Sequence, residues 1–271
     1  MGLSAHFFCM NTITRWVRFD HHGQAGFGTL EANAVAVHEG DMFGSPRPTG
    51  ERLALDGLKL LAPVRPGKVL GLWNNFLALA AKLGLADAAE PLYFLKSPGS
   101  VLAPGGRIVA PAGQGKVVFE GELAVVIGRR TCAVSVEQAA AHVFGYTCVN
   151  DVTAAEVLNR DASFAQWSRA KSYDTFCPLG PCIATGLDPA TLHIRTRLDG
   201  QLRQDYPAAD MRFAVPQLVS LISHDMTLDA GDVILCGTSV GVGSMKPGQT
   251  VEVEIEGIGV LRNRFETALG A

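Results

Sequence analysis

Charged residues are scarce in this 271-residue chain, at 18% of the total, against about 25% in a typical soluble protein. With 48% hydrophobic residues, this composition excludes an intrinsically disordered chain. The formal net charge is only −3 and no run of Lys and Arg occurs, so a nucleic-acid binder is not expected. Apolar stretches such as residues 123–127 are far shorter than the roughly 20 residues of a membrane span. The N-terminus also lacks a secretory signal pattern, so we predict a cytoplasmic protein.

Disulfide and zinc signatures are absent as well, although the chain has six cysteines. No two of them form a Cys-x-x-Cys pair, and most have apolar neighbours: Cys9, Cys132, Cys148, Cys177, Cys182 and Cys236. This pattern favours reduced, buried thiols over a disulfide framework or a zinc site. Either Met1 or Met10 is compatible with the true start of translation.

Short β-like segments dominate the chain, and 30 glycines and 14 prolines separate them. Strand patterns occur at residues 16–19, 27–38, 68–72, 92–95, 117–127, 145–150, 233–236 and 251–255. Asp199 and Gly200 predict a hairpin between residues 193–198 and 203–206. Helices are predicted at residues 76–86, 135–142 and 216–223, and irregular segments at residues 46–50 and 161–176. We therefore expect an α+β, mostly β protein with a small β-rich N-terminal region at residues 1–64 and a larger domain at residues 65–271.

Two glutamates, Glu120 and Glu122, interrupt the apolar segment at residues 117–127. Residues i and i+2 of a strand face the same side, so the two carboxylates are expected to converge beside the core. Two like charges there cost free energy unless a cation neutralises them, and a divalent cation with oxygen ligands would do so. A solvated edge strand with two ordinary acids is the alternative interpretation.

Three further polar residues stand at the ends of apolar or glycine-rich segments. Asp151 follows the strand-like residues 145–150 and would complete a three-carboxylate site suited to Mg²⁺ or Mn²⁺, unless it only forms an Asx turn. Lys171 precedes a loop bounded by proline and glycine and could reach an anionic substrate, although a lone lysine is more often a surface residue. Thr238 lies in the glycine-rich residues 236–244, where the backbone could approach a ligand or simply turn.

Taken in order, these segments resemble the fumarylacetoacetate hydrolase family. The resemblance extends over about residues 65–267 and rests on residues 91–97, 120–128, 145–153, 171–181, 232–238 and 256–259. It implies a mixed β-sandwich roll, usually assembled as a homodimer, preceded by a small N-terminal domain. The substrate class that it implies is a small 2-oxo acid.

The resemblance also assigns roles to individual residues. It implies that Glu120, Glu122 and Asp151 hold Mg²⁺ or Mn²⁺, which would chelate the 2-oxo carboxylate part of the substrate. Lys171 would then stabilise the developing enolate, and Thr238 would bind the substrate carboxylate. A further lysine, Lys96, matches a family position that we assign to substrate binding.

Two departures from the family pattern bear on the reaction. Hydrolytic members usually carry a His and a Glu that activate water, and the matching positions hold Leu79 and Lys82. A glutamine common in small acylpyruvate hydrolases is replaced by Leu158. General-base catalysis contributes roughly 10²–10⁴-fold, so these losses favour an isomerase or tautomerase over a C–C bond hydrolase.

The sequence thus predicts a divalent-metal-dependent enzyme for 2-oxo or 2-hydroxy-enoic acids, acting in aromatic compound catabolism. Hydrolysis would need a base from elsewhere, and by elimination the histidines to consider are His142, His193 and His224. A pseudoenzyme that binds metal and ligand without turnover is the alternative, because the three acids are present while the water-activating pair is missing.

Overall fold

The computed structural model describes residues 12–268, so the two possible start methionines and Cys9 lie outside the described residues. These residues contain five α-helices: α1 (Leu77–Leu83), α2 (Val136–Ala139), α3 (Ala155–Leu158), α4 (Trp167–Lys171) and α5 (Val215–Asp225). The first ten strands are β1 (Thr14–His21), β2 (Gln24–Glu31), β3 (Ala34–Glu39), β4 (Arg47–Ala54), β5 (Lys59–Leu61), β6 (Val69–Trp73), β7 (Leu92–Lys96), β8 (Val101–Leu102), β9 (Arg107–Ala110) and β10 (Val117–Phe119). Ten more follow: β11 (Gly121–Ile127), β12 (Val143–Asn150), β13 (Thr153–Ala154), β14 (Cys177–Thr185), β15 (His193–Leu198), β16 (Gln201–Pro207), β17 (Val233–Leu235), β18 (Gly243–Ser244), β19 (Thr250–Ile255) and β20 (Gly259–Thr267).

Twelve strands form one large sheet in the order β4-β3-β2-β1-β14-β12-β11-β17-β6-β7, with β5 beside β1 and β8 beside β14. The N-terminal strands belong to this sheet because β1 pairs with β14, with Trp16 opposite Ile183. The expected β-rich N-terminal region is therefore present as strands β1 to β5. Its hydrogen bonds continue directly into the larger part of the chain.

A five-stranded sheet, in the order β16-β15-β19-β20-β9, faces part of the large sheet. The main core lies between them and includes Leu123 and Val125 of β11, Ile194 of β15, Val253 of β19 and Leu218 of α5. A third, three-stranded sheet has the order β13-β10-β18. The expected α+β, mostly β sandwich is confirmed. Within residues 12–268, the longest helix has 11 residues and none is long and apolar enough to cross a membrane.

Two of the predicted helices and the predicted hairpin are present, with ends that differ from the predicted ones by up to three residues. Helix α1 ends at Gly84, which adopts a left-handed φ of +65°. Helix α2 begins with a capping box, in which the backbone N–H of Ser135 donates to Oε1 of Gln138 at 3.3 Å. The hairpin of β15 and β16 turns at Asp199 and Gly200.

Other predictions are wrong, each for a tertiary reason. The predicted loop at residues 46–50 is part of strand β4, where Pro48 is tolerated because β4 is the outermost strand. The predicted irregular segment at residues 161–176 contains helix α4, which is fixed by the ring of Trp167 stacked on Phe94 at 5.4 Å. The final strand is not β19 but β20, which buries Leu261 and Phe265 on one face.

Candidate metal centre

Three carboxylates meet where the chain passes from the three-stranded sheet to the large sheet. Glu120 lies in the break between β10 and β11, Glu122 is the second residue of β11, and Asp151 directly follows β12. Strands β11 and β12 are antiparallel with Gly121 opposite Asn150, so the start of one lies beside the end of the other. One carboxylate oxygen from each acid lies within 4.8 Å of the other two.

The predicted single strand at residues 117–127 is in fact two strands, because the chain leaves the three-stranded sheet at Glu120 and enters the large sheet at Gly121. A Cβ atom at this position would lie 2.0 Å from Oγ1 of Thr196, so only glycine allows the five-stranded sheet to approach so closely. The backbone of Glu120 is held locally: its N–H donates to Oδ1 of Asn150 at 2.9 Å, and its C=O accepts the N–H of Asp151 at 2.8 Å. The two glutamates therefore converge although no regular strand joins them.

Two buried lysines neutralise the carboxylates. Nζ of Lys171, at the end of α4, lies 2.5 Å from Oδ2 of Asp151 and 2.8 Å from Oε2 of Glu120. Nζ of Lys96, at the end of β7, lies 2.7 Å from Oδ1 of Asp151 and 3.3 Å from the carbonyl oxygen of Val152. Burial opposes the charge of Lys171, but Asp151 and Glu120 outweigh it and raise the pKa of this lysine. Its ammonium group therefore stays charged between the two acids.

The three carboxylates are neutralised to different degrees. Burial raises the pKa of Glu120, and Lys171 partly offsets this effect. Burial followed by the charges of Asp151 and Glu120 raises the pKa of Glu122 well above its ordinary value. Burial also opposes ionisation of Asp151, but Lys171 and Lys96 outweigh it and lower the pKa of this acid. Glu122 is thus the carboxylate whose negative charge is least compensated, and a bound cation would favour its ionised form most.

The loop after β17 contacts the other side of the cluster. Gly237 adopts φ +90°, and its N–H donates to Oε2 of Glu122 at 2.8 Å. A Cβ atom there would lie 3.2 Å from the carbonyl oxygen of Leu72, so glycine suits both the conformation and the space. The next residue, Thr238, is 9% exposed and places Oγ1 3.2 Å from the carbonyl oxygen of Gly121. The residue assigned to substrate binding therefore adjoins an amide that contacts the acid cluster.

The donor set of this cluster fits a hard divalent cation. Its three carboxylates are the oxygen ligands that Mg²⁺ and Mn²⁺ prefer, and two of them, Glu122 and Asp151, are almost inaccessible to solvent. Neither lysine hydrogen-bonds to Glu122 within residues 12–268, so a cation bound there would offset its desolvation. Glu120, Glu122 and Asp151 are the residues that would hold it.

Aromatic rings form a wall beside Lys171 that the sequence patterns did not reveal. The ring centroid of Phe94 lies 5.1 Å from Nζ of Lys171, within the range of a cation–π contact. Trp167 stacks on Phe94, and Trp73 lies 5.1 Å from Trp167. This wall fixes α4, and with it the lysine at its end.

Four supporting residues were also missed, for two different reasons. Asn150 and Thr153 lie on either side of Asp151 in residues 145–153, and Oγ1 of Thr153 donates to Oε1 of Glu120 at 2.9 Å. The spacing of polar residues there could have identified them. Gln204 and Tyr206 lie far along the chain in an ordinary alternating strand, so no local signal points to the site.

The water-activating positions of hydrolytic relatives are filled by residues without that chemistry. Leu79 is partly buried against the main core, and Lys82 is exposed on α1. The histidines named by elimination have partners elsewhere: Nδ1 of His142 lies 3.0 Å from Oγ1 of Thr131, and Nδ1 of His224 lies 2.8 Å from the carbonyl oxygen of Ser220. Nδ1 of His193 lies 2.7 Å from Oδ1 of Asp205, without the geometry of a hydrogen bond. Among the described residues, none of these histidines hydrogen-bonds to the acid cluster.

Comparison with known families decides the assignment. Residues 68–266 match the model of the fumarylacetoacetate (FAA) hydrolase C-terminal domain, and residues 14–63 match a separate model described as Rv2993c-like, N-terminal. The chain belongs to the fumarylacetoacetate hydrolase family. The resemblance noted from the sequence is therefore confirmed.

Three relatives indicate the range of chemistry in the family. The oxaloacetate tautomerase YisK of Bacillus subtilis is 38% identical over 227 residues, which are 78% of this chain and 74% of YisK. The crystal structure of 2-hydroxyhepta-2,4-diene-1,7-dioate isomerase from Mycobacterium marinum is 37% identical with a TM-score of 0.87, covering 95% of this chain and 100% of that one. Maleylpyruvate hydrolase from Sphingobium sp. SYK-6, in complex with manganese(II) and pyruvate, is 26% identical with a TM-score of 0.76, covering 94% and 100%. Family membership and these relatives support an enzyme of the metal-dependent isomerase or hydrolase type.

Proposed function

We propose that this protein is a divalent-metal-dependent tautomerase that interconverts the enol and keto forms of small 2-oxo acids. The observation that carries the proposal is the acid cluster with Lys171 between two of its carboxylates, in a chain where Leu79 and Lys82 occupy the positions of the water-activating pair. The tautomerase YisK and the isomerase from M. marinum support the same reaction class.

Each part of the site has a task in this reaction. A divalent cation at Glu120, Glu122 and Asp151 would polarise the 2-oxo group and orient the adjacent carboxylate. The ammonium group of Lys171 would stabilise the negative charge that develops on the enolate oxygen. The hydroxyl of Thr238 would bind the substrate carboxylate.

Ketonisation needs no attacking water. One proton leaves the enol oxygen, one proton is added at the neighbouring carbon, and no other bond is broken. The His and Glu that activate an attacking water therefore have no such task in this reaction, whereas C–C bond hydrolysis loses roughly 10²–10⁴-fold without that general base. Leu79 and Lys82 do not supply a base that activates water, so they are compatible with ketonisation and not with C–C bond hydrolysis.

Finer features of the proposal rest on the family and on the site. We propose Mg²⁺ or Mn²⁺ as the cation, because the ligands are carboxylates and a hydrolase relative binds manganese(II). The two matched regions support a division into domains at residues 1–64 and 65–271. We further propose a homodimer, as is usual for this family, and a role in the catabolism of aromatic compounds.

The deciding experiment follows the enol absorbance of oxaloacetate with Mg²⁺, with Mn²⁺ and with a chelator, beside a panel of acylpyruvates. We expect metal-dependent ketonisation of oxaloacetate at least 100-fold faster than acylpyruvate cleavage, and loss of ketonisation in Lys171→Met. Faster cleavage of an acylpyruvate by the natural chain would contradict the tautomerase assignment. Tight metal-dependent binding of 2-oxo acids without turnover would identify a pseudoenzyme.

A further inference from the structure

Gln204 is a buried glutamine of β16 whose side-chain amide connects two parts of the candidate site. Its Oε1 accepts the N–H of Gly121 at 3.0 Å, between the two metal-site glutamates. Its Nε2 donates to Oγ1 of Thr238 at 2.8 Å and to the carbonyl oxygen of Ser239 at 3.2 Å. The Gln204 side chain is only 1% exposed. It belongs to the five-stranded sheet and links two segments that belong to or follow strands of the large sheet, Gly121 between the glutamates and Thr238 in the loop after β17.

A second residue of strand β16, Tyr206, contacts the carbonyl group of Gly121. The hydroxyl of Tyr206 donates to this oxygen at 2.5 Å, and Oγ1 of Thr238 lies 3.2 Å from it. Burial raises the pKa of Tyr206 well above its ordinary value, so its hydroxyl keeps the proton that it donates. Gln204 and Tyr206 therefore hold the N–H and the C=O of one glycine, and that glycine separates Glu120 from Glu122.

The hydroxyl of Thr238 has one proton to donate and two lone pairs. Gln204 donates to one lone pair, which turns the proton of Thr238 towards the carbonyl oxygen of Gly121. Because Tyr206 also donates to that oxygen, Gly121 stays hydrogen-bonded when Thr238 directs its proton elsewhere. Thr238 can thus rotate its O–H towards an incoming carboxylate without leaving a buried carbonyl unpaired.

We propose that Gln204 is a positioning residue that fixes the Thr238 hydroxyl as a donor for the substrate carboxylate, with Tyr206 maintaining the Gly121 carbonyl. This inference rests on the proposed function, because it needs an anionic ligand beside the cation. Gln204 itself does not contact the ligand and acts through Thr238.

The test is a double-mutant cycle on ligand binding rather than on turnover. Oxalate, a planar dianion that resembles the enolate of a 2-oxo acid, is titrated calorimetrically into the Mn²⁺-loaded protein. We expect Gln204→Met and Thr238→Val each to weaken oxalate binding at least tenfold. In the double variant the loss should exceed that of Thr238→Val by no more than about threefold, because the first residue acts through the second. The matched control is Gln201→Met, at an exposed position of the same strand, which should leave oxalate and Mn²⁺ affinity unchanged.

A second variant keeps the proposal falsifiable if Gln204→Met fails to fold. Gln204→Glu retains an acceptor for the Gly121 N–H but cannot donate hydrogen bonds to both Thr238 and Ser239, so the same loss of oxalate affinity is expected. Additive losses in the cycle, or native oxalate affinity in either folded variant, would overturn the role of Gln204 while the proposed function stands. A natural protein that shows no Mn²⁺-dependent oxalate binding would overturn both.

Discussion

Lys96 and Asp151 form an ion pair inside the protein, with Nζ of the lysine 2.7 Å from Oδ1 of the aspartate and both side chains at most 1% exposed. Removing one partner of such a pair leaves the other buried without compensation, which typically costs about 3–5 kcal/mol. Lys171 still contacts Asp151 after Lys96 is removed, so the lower end of this range applies. We expect Lys96→Met to lower the free energy of unfolding by about 3 kcal/mol, measured by denaturant titration.

A lysine on α1 provides the matched control for this substitution. Lys82 is exposed, so Lys82→Met should change the free energy of unfolding by less than about 0.5 kcal/mol. A cost of less than about 1 kcal/mol for Lys96→Met would contradict this prediction, because the ion pair would then contribute little to stability.

The second prediction concerns Asp151 as a metal ligand. A cation that binds only the folded chain stabilises it by about 2.7 kcal/mol at a concentration of 100 times Kd. We expect Mn²⁺ to raise the thermal unfolding midpoint of the natural protein and to leave that of Asp151→Asn unchanged. Asp161→Asn is the control, because Asp161 is an exposed loop residue bonded to Ser163. An equal Mn²⁺-dependent rise in all three proteins would exclude Asp151 from the site.

The third prediction tests the break between β10 and β11. In Gly121→Ala the new methyl group would meet Oγ1 of Thr196, a fully buried β-branched side chain that cannot move aside. Overpacking of this kind costs about 1–3 kcal/mol, and here it also displaces the glutamates on either side. We therefore expect lower stability together with weaker Mn²⁺ binding, measured by denaturant unfolding and calorimetry.

Gly57→Ala is the matched control for this substitution. A Cβ atom at Gly57 meets nothing within 4 Å, so the variant should have native stability and native Mn²⁺ affinity. A Gly121→Ala protein that retains both properties would show that the sheets can separate at this point without disturbing the acids.

Much of the site could be predicted because its acidic residues lie at or near the ends of strands. Glu122 and Asp151 each lie beside a hydrophobic run, and a strand that carries acids into a core needs a cation nearby. The prediction of a single strand at residues 117–127 was wrong because β10 and β11 pair in different sheets, and Thr196, 75 residues further along the chain, packs against Gly121 where they meet. Local alternation contains no information about that contact.

The fold class followed from the density of short strands, but the assignment of some segments did not. Helix α4 has few intrinsic helix signals and depends on the packing of Trp167 against Phe94, which no window of sequence displays. Lys96 illustrates the same limit for function. Its family position suggested contact with substrate, and only the structure shows its ammonium group on Asp151.

The last prediction concerns the thiols, for which the sequence favoured burial without disulfides. The described cysteines are all free: Cys132 is exposed, and Cys148, Cys177, Cys182 and Cys236 are buried. Burial raises the pKa of Cys177 and Cys182 to about 12, so at pH 8 only about one molecule in 10⁴ carries either thiolate. In a Cys9→Ser background, we expect a thiol reagent to label Cys132 of the native protein at least 100-fold faster than the four buried cysteines. Peptide mass spectrometry measures the labelling rate of each cysteine.

The same pKa values predict how these thiols affect stability. The pKa of an unfolded cysteine is about 8.5, well below the pKa of these thiols in the folded protein. Burial of the thiols therefore stabilises the fold fully below about pH 8.5. This contribution is lost as the pH rises towards 12, and the buried cysteines should then label together as the chain unfolds. Labelling of Cys177 at pH 8 in the native protein, at the rate found in urea, would contradict the buried position of this residue in strand β14.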